Sequence, residues 1–403
     1  MNKPLTGVRI IDFTWVGAGP YTTKILADAG AEVIKIESQE RPDVLRFMPP
    51  FPNGEKGVNR SGYFANRNTS KKSFLLNMVE PEAKEVIKQL VKSADIVANS
   101  FTAGTLERWG LGYDVLKEIK PDIIFMSMPM QGTTGPHKQF SGFGAMMNAL
   151  IGLNHVTGLP DREPIGTGTN YPDHVPNPTH GAFAMLAALR HRNKTGEGQY
   201  IELAQTESAL NVLAVAVLDA ANNDSSPIRA GNYVPHAAPH NAYRCAGDER
   251  FCVIACETDD QWHALTRISG LESLLNIQNV STFEGRLENL HAIDAAIEAW
   301  TQTKSPEDVM HVLQAQRIPA GVIQTAKDLV EDDPHLRARQ HFVALAHTEM
   351  GTTLYNNAPF QMSHTPVTPQ KPAPLIGEHT EEVCRELLQL DDEIIAQKKH
   401  LFK

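Results

Sequence analysis

The feature that most constrains the fold is the alternation, through the N-terminal third of the chain, of short β-branched runs with segments of helical apolar spacing. Val8–Phe13 reads VRIIDF, Pro20–Ala29 carries apolar residues at helical intervals and stops at Gly30, and Ala31–Glu37 is a second β-rich run, AEVIKIE. The pattern recurs with FLLN around Phe74, an amphipathic segment from Pro81, DIVANSF from Asp95, a helical stretch over Tyr113–Ile119 and DIIFMSM from Asp122. Strands separated by helices pair most simply in parallel, because parallel neighbours need a long crossover. The spacing therefore predicts an α/β fold whose parallel sheet is covered by helices on both faces. Right-handed crossovers bring the strand C-termini to one edge, where such sheets bind ligands.

After the Gly- and Pro-rich stretch Gly152–Pro178 comes a long apolar helix, GAFAMLAALRHR, then a TGEG turn, the strand QYIELA and a helix from Gln205. Asn222–Ala242 shifts to Asn, Asp, Ser, Pro and His and reads as an inter-domain linker. Beyond it, the strand FCVIACE and helices around Trp262, Ile293 and Val309 predict a second, mostly helical unit. PAGVIQ at Pro319 is expected to open a return segment, and HTPVTPQKPAP precedes a terminal helix from Glu378. At 403 residues the chain exceeds what one hydrophobic core ordinarily supports, so two domains are expected.

A net charge of -10 argues against nucleic acid as a partner, since phosphate binding needs a basic face. A few cations can still converge on an anionic ligand, with Lys71-Lys72 or Arg41 and Arg46 as candidates. The four cysteines, Cys245, Cys252, Cys256 and Cys384, form neither a disulfide framework nor a CxxC metal pair and indicate a reducing compartment. With no apolar run suited to a signal peptide or a membrane span, the expected location is cytoplasmic, with no membrane partner.

Gly17-Ala18-Gly19-Pro20-Tyr21-Thr22 follows the first strand, and Glu37 closes the second, the spacing of a dinucleotide turn and its ribose acid. Thr22 stands where the third glycine belongs and Pro20 removes a donor, so a nicotinamide site and a plain strand-to-helix turn both stay open, with the turn favoured. Asp173, in GTNYPDHVPNPTHGAF, precedes a helix that Asn177 can cap and Pro178 can start. A carboxylate held there is a nucleophile for an activated acyl group or simply a turn-forming residue. His174, His180, His236 and His240 make no metal-ligand spacing, and no metal site is expected; His240 is either a bonded linker residue or a general base. No GxSxG, GxxxxGK[ST] or HExxH occurs. Cys252 and Cys256 read as packing residues, and Trp15, Phe101, Trp109 and Tyr63 either stack on a base or fill the core.

Whole segments resemble the family III CoA-transferases of the formyl-CoA and carnitine type. They include LTGVRIIDFTWVGAGPYTTKILADAGAEVIKIE, DIVANSF, ERWGL, QGTTGP, DHVPNPTHGAFAMLAALRHRNKTGEGQYIELAQTESAL, RIPAGVIQTAKDLVEDDPHLRARQHF and PLIGEHTEEVCRELL, and the likeness runs from Leu5 to Leu388. The resemblance implies a Rossmann-like large domain built from both chain ends, a smaller α+β domain from the middle, and an interlocked homodimer. On it, residues 1–221 form the N-terminal part of the large domain, 222–325 the linker and small domain, and 326–403 the return segment. It implies CoA transfer from an acyl-CoA donor to a carboxylic acid acceptor through aspartyl anhydride and aspartyl-CoA adducts. Coenzyme A is then a substrate and no cofactor is permanently bound.

Residue by residue, the family's catalytic aspartate falls on Asp173, although this chain carries one more residue before the long helix than the family pattern. Trp15, Val16, Gly17 and Ala18 match the turn that approaches the nucleotide and thioester, and Phe101 and Arg108 match CoA contacts. Ser38 and Ser100 replace an arginine and an asparagine, and Gly17 replaces a glutamine of the formyl-CoA enzymes, which argues against formate or oxalate. HAAPHNAYRC occupies the region of their tetraglycine loop. Tyr63, Gly132 and Gly135 are expected at the acyl pocket, with backbone N–H groups of the two glycine turns as oxyanion donors. The related α-methylacyl-CoA racemases carry a GHDxNY-like segment where this chain has Phe143 and Gly144, which favours transfer. A non-catalytic CoA- or nucleotide-binding protein is the alternative from another class.

Overall fold

The structure, a computed structural model, describes residues 3–223, 225 and 227–403. Six strands form one sheet: β1 (Arg9–Phe13), β2 (Glu32–Glu37), β3 (Lys72–Leu75), β4 (Ile96–Asn99), β5 (Ile124–Ser127) and β6 (Tyr200–Glu202). Their order is β3-β2-β1-β4-β5-β6 and every pair is parallel, as the alternation predicts. The two-residue period of the strands sorts their side chains. Ile11, Phe13, Ile34, Ile36, Phe74, Val97 and Phe125 pack on one face, with Ile87 and Leu90 of the helix Pro81–Val91. Ile10, Val33, Ile96, Ala98, Ile124 and Met126 pack on the other, against Leu26 of the helix Ala18–Asp28 and Met185 of the helix Pro176–Thr195. With both faces covered, the strands need no polar alternation, which is why they read as continuous apolar runs.

The C-terminal segment closes the β3 edge. The His379 ring and the Thr380 hydroxyl accept from the N–H groups of Ser73 and Leu75 at 3.3 and 3.0 Å, donors that a free edge leaves unpaired. Val383, Cys384, Leu401 and Phe402 join the same core as β1, so the two ends of the chain share one interior. A hairpin of β10 (Phe342–His347) and β11 (Gly351–Asn356) adds Tyr355 to a cluster with Leu45 and Phe64.

The chain divides into two compact units, Met1–Asn154 with Gly166–Pro227 and His335–Lys403, and His155–Ile165 with Ile228–Pro334. In the second unit β7 (His240–Arg244), β8 (Phe251–Ala255) and β9 (Ala320–Val322) form an antiparallel sheet in that order. Its core gathers Trp262, Ile293, Val309 and the inert, buried Cys252 and Cys256, with the Cys256 thiol pushed up to about 12 by burial.

Two sequence expectations change here. PAGVIQ does not open the return segment: its residues pair with β8, because β8 has a free antiparallel edge, and the return begins at His335. The expected linker is shorter than its composition suggests, since Asn222 and Asn223 end the helix Ala214–Asn223 and His240 already starts β7, while the division between the units, at Pro227 and Ile228, falls within it. Asp224 and Ser226, within that linker, lie outside the described residues. No helix among the described residues is long and apolar enough to cross a membrane.

Candidate active site

The site grows from the turn after β1. Val16 sits at φ +67°, a left-handed conformation that costs a β-branched residue roughly 1–2 kcal/mol. A buried ion pair holds it there, and a second supports the helix that follows. Asp43 accepts from Val16 N–H at 3.2 Å and from Leu45 N–H at 3.1 Å on one oxygen, and from Lys35 Nζ at 3.0 Å on the other. Beneath the first helix, Asp12 accepts from Lys71 Nζ at 3.0 Å and from the Thr23 hydroxyl at 2.7 Å, and Lys71 also donates to the Pro20 carbonyl at 2.9 Å. Burial lowers the Lys71 pKa to about 8 against the pull of Asp12. All four charged side chains are fully buried, an arrangement that specifies geometry more than it adds stability.

Asp173 lies opposite this turn, on the short helix Tyr171–His174, with 4% of its surface exposed. Its carboxylate is wedged between two glycine backbones. A Cβ on Gly17 would stand 2.8 Å from Asp173 Cγ, and one on Gly144 would stand 2.6 Å from Asp173 Oδ2. Only glycine at both positions lets the carboxylate enter. Burial pushes the Asp173 carboxyl up to about 6, against the nearby Gly144 N–H and the positive Arg67. It is therefore about nine-tenths ionised at pH 7.

Arg67 braces the same helix from behind. Its guanidinium lies 4.1 Å over the Tyr21 ring and 5.6 Å from that of Tyr63, and Nη2 stands 2.7 Å from His174 Nδ1. A guanidinium can only donate, so Nδ1 accepts and the His174 proton sits on Nε2. Burial, then Arg67, hold the His174 pKa down to about 4, so the ring is neutral at pH 7.

Asp173 opens into a cavity of about 1020 Å³ along the carboxyl ends of β1 to β5. That volume stands at the upper end of what drug-sized ligands occupy. The lining is polarised. Ser38, Glu40, Arg41, Asn77 and Lys84, which follow β2 and β3, put the charged groups other than Asp173 at one end, beside Leu76, Met78 and Val79, while Met130, Phe140, Phe143, Met146 and Met147 gather beyond β5 with Ser141 and Gln205. Trp15, Phe101 and Trp109 form an edge-to-face row along the wall, with centroids 5.8 and 5.7 Å apart. Such a cavity accepts a long ligand with an anionic head and an apolar tail, and presents a carboxylate at the tail.

Of the residues expected from sequence, Trp15, Val16, Gly17, Ala18, Phe101 and Asp173 line this one cavity. Arg108 does not; it borders a separate hollow with Lys138 and donates to the Thr105 hydroxyl at 2.9 Å. Tyr63 stands behind Asp173 in contact with Arg67 and His174, outside the lining. Gly132 and Gly135 are turn glycines at φ +78° and +81°, also outside it, with Gly132 packed on Glu202. The N–H that reaches Asp173 is that of Gly144 instead.

Several expectations from the residues alone are corrected. Glu37 cannot serve a ribose, because Arg46 holds both of its oxygens at 2.8 and 2.6 Å. Lys71 and Arg46 are consumed internally and Lys72 pairs with Glu32 and Glu382, which leaves Arg41 as the predicted cation that meets the cavity. Asn177 caps nothing. The long helix starts at Pro176 with Val175 before it, and Asn177 is buried inside, donating to Gln205 Oε1 at 3.3 Å. The first helix likewise starts at Ala18, two residues before Pro20. His240 opens β7 with Nδ1 2.5 Å from the Asn232 carbonyl, in the second unit. Arg67 escapes notice as a site residue and Gly144 stands out only against the racemase segment, since an arginine at the end of a short aromatic helix and a glycine among apolar residues carry no spacing signal of their own. Among the described residues no cluster of His, Cys, Asp and Glu is placed to hold a metal.

Comparison with known proteins follows the same lines. The chain matches the family described as CoA-transferase family III over residues 5–380. It is similar to the succinyl-CoA–D-citramalate CoA-transferase of Chloroflexus aurantiacus, 30% identical over 98% of this chain and 96% of that one. It is also similar to the succinate–glutarate CoA-transferase of Agrobacterium fabrum, 31% identical over 96% of both chains. Among solved structures it superposes on a CaiB/BaiF family protein from Brucella suis with a TM-score of 0.87, at 30% identity over 96% of this chain and 100% of that one.

Proposed function

Because this chain belongs to CoA-transferase family III, we propose that Asp173 is the relay through which it moves coenzyme A from an acyl-CoA thioester to a free carboxylic acid. The observation that carries the assignment is the buried Asp173 carboxylate, pinned between Gly17 and Gly144 in the wall of the large cavity. An Asp173 oxygen attacks the acyl carbon; the C–S bond breaks and CoA leaves as thiolate, giving an aspartyl-acyl anhydride. The thiolate attacks the aspartyl carbonyl, releasing the donor acid and leaving an aspartyl-CoA thioester. The acceptor carboxylate attacks that carbonyl and expels the thiolate, which takes up the new acyl group and frees Asp173. No net proton or ATP is needed, since one thioester replaces another.

The Gly144 N–H serves each attack on the aspartyl carbonyl. The oxygen it holds becomes the oxyanion, and a lost donor of this kind commonly costs about 3 kcal/mol. Neutral His174, with its proton on Nε2, and Arg67 keep the helix of Asp173 in register. The polar end at Arg41 and Lys84 suits the nucleotide phosphates of CoA, and the aromatic row suits its adenine and pantetheine. Trp15, Val16, Gly17, Ala18 and Phe101 fall under this assignment; Arg108, in its own hollow, reaches only a part of CoA that extends out of the cavity. The racemase alternative needs an acid at 144, where even a Cβ collides with Asp173.

The same proposal includes an interlocked homodimer, a large domain completed by the C-terminal segment, and a cytoplasmic location. Exposed Phe183 on the helix Pro176–Thr195 and exposed Val215 and Leu218 on the helix Ala214–Asn223 support a second copy as their cover. The test is chemical trapping. Incubation with acyl-CoA donors and a hydroxylamine or borohydride quench should label the Asp173 peptide in a mass spectrum. Asp173→Ala should lose both label and transfer while keeping CoA binding; retained turnover refutes the role.

A further inference from the structure

The two ends of the cavity differ in a way that bears on which acids the site accepts. Resting on the transferase assignment, we propose that the acyl group handled at Asp173 is apolar, an aliphatic or aromatic monocarboxylate without a second carboxyl group.

The acyl carbon must meet Asp173, so the acyl substituent lies in the part of the cavity next to Gly144. Phe143 precedes that glycine and Met147 follows three residues later on the same helix, Gly144–Leu150, both lining the cavity. Met146, also on this helix, and Met130 meet over Gly142, their sulfurs 2.8 and 3.1 Å from where a Cβ on that glycine would stand. Phe140 completes the group.

Among the described residues lining the cavity, the cations are Arg41 and Lys84. They follow β2 and β3, on the far side of β1 from β5 and Met130. Arg67 is near Asp173 but does not line the cavity; it is stacked on Tyr21 and directed to His174. Phe140, Phe143 and Met146 are about half exposed while Met130 and Met147 are buried, so a second carboxylate held against Met130 and Met147 would lose part of its water, gain no counter-charge and face the negative Asp173. An aliphatic or aromatic tail would lose only water-exposed apolar surface, and unbranched methionines adapt to its length and shape. The preference is thus opposite to that in the names of the relatives, which refer to succinyl-CoA, citramalate, succinate and glutarate.

The test is identity exchange, which needs no knowledge of the natural partner acid. The full-length protein is incubated with butyryl-CoA and deuterated butyrate, with phenylacetyl-CoA and deuterated phenylacetate, and with succinyl-CoA and deuterated succinate. Label entering each thioester is followed by mass spectrometry. Exchange with butyrate or phenylacetate should exceed that with succinate by at least about 100-fold in kcat/KM, because an unpaired charge discriminates more than a methylene does. Met146→Arg, or Met147→Lys should the first variant not fold, should narrow that ratio at least tenfold by supplying a cation. Succinate exchange equal to or faster than butyrate in the wild type overturns the substrate class and leaves the transferase assignment standing. No exchange and no trapped aspartyl adduct with any of the three removes the assignment itself, and the substrate class with it.

Discussion

Gly144→Ala separates the geometry of Asp173 from the stability of the fold. A Cβ at 144 would stand 2.6 Å from Asp173 Oδ2 and 2.7 Å from Asn170 Cβ, where ordinary contact begins near 3.4 Å. The carboxylate must retreat by about 0.8 Å from a position that already depends on Gly17 having no Cβ, since one there would stand 2.8 Å from Asp173 Cγ. Misplacement of a reacting group by about 1 Å costs on the order of 100-fold in rate. That corresponds to about 2.7 kcal/mol of barrier. Gly144 opens the helix Gly144–Leu150, where alanine is favoured over glycine by up to about 1 kcal/mol, so folding energy and activity are pushed in opposite directions. The assay is kcat/KM for exchange beside a urea denaturation curve and CoA binding by calorimetry. The expected variant binds CoA, unfolds near the wild-type midpoint and is about 100-fold slower. Activity within threefold of wild type would falsify the claim that the two glycines set the position of the nucleophile.

Four further outcomes follow from the charges. Burial raises the Asp173 pKa from the ordinary carboxylate range to about 6, so kcat/KM should climb with pH through about 6 and level off above 7; a flat profile from pH 5 to 8 contradicts an ionised Asp173 as nucleophile. A raised carboxylate pKa favours folding below the unfolded value near 4 and loses that favour as pH rises through 6, an effect of about 3 kcal/mol over two pKa units. Asp173→Asn should accordingly be more stable than wild type at pH 8 and not at pH 4, which melting curves at the two values decide. Removing Arg67 as Arg67→Met should shift the acid limb of the rate profile upward and lower kcat more than it raises KM; an unmoved limb means the arginine only packs. Under the first helix, Asp12→Ala strands a fully buried Lys71 and should cost about 3–5 kcal/mol, whereas Asp12→Asn with Lys71→Met should recover most of it in denaturant titrations.

What the sequence reveals and what it hides divides by the range of the interaction. The parallel sheet is legible because each βα unit announces itself locally: VRIIDF before a glycine turn, PEAKEVIKQLV with its apolar stripe, YDVLKEI between two strands. Ala320–Val322 misleads because a three-residue strand has no period of its own and is recruited by the edge of β8 across more than sixty intervening residues. Asn177-Pro178 looks like a helix start on local grounds, yet Pro176 also fits the first turn, and the buried bond to Gln205 decides between them. Arg46 and Lys71 look like free cations because their partners Glu37 and Asp12 lie on other strands. Asp173 stands out through whole-segment resemblance, while Gly144 and Arg67 act only through a tertiary approach that no motif spells.

The position of Asp173 also reconciles two demands on a carboxylate relay. A carboxylate with an ordinary pKa near 4 is fully ionised at pH 7 but weakly basic, and basicity is what drives attack on a thioester carbon. Deeper burial would raise basicity further and leave the group protonated and inert. With a pKa of about 6 the side chain stays mostly ionised while its basicity rises by about two orders of magnitude. The balance depends on the Gly144 N–H and on Arg67, since without either the same burial would carry the pKa higher, toward the point where ionisation fails. Gly144→Pro, compared with Gly144→Ala, which adds the same Cβ but keeps the donor, should therefore move the acid limb of the exchange profile further up as well as slow the plateau further. A plateau slower than that of Gly144→Ala with the same limb would show that the Gly144 N–H acts on the oxyanion alone and leaves the ground-state charge of Asp173 to Arg67.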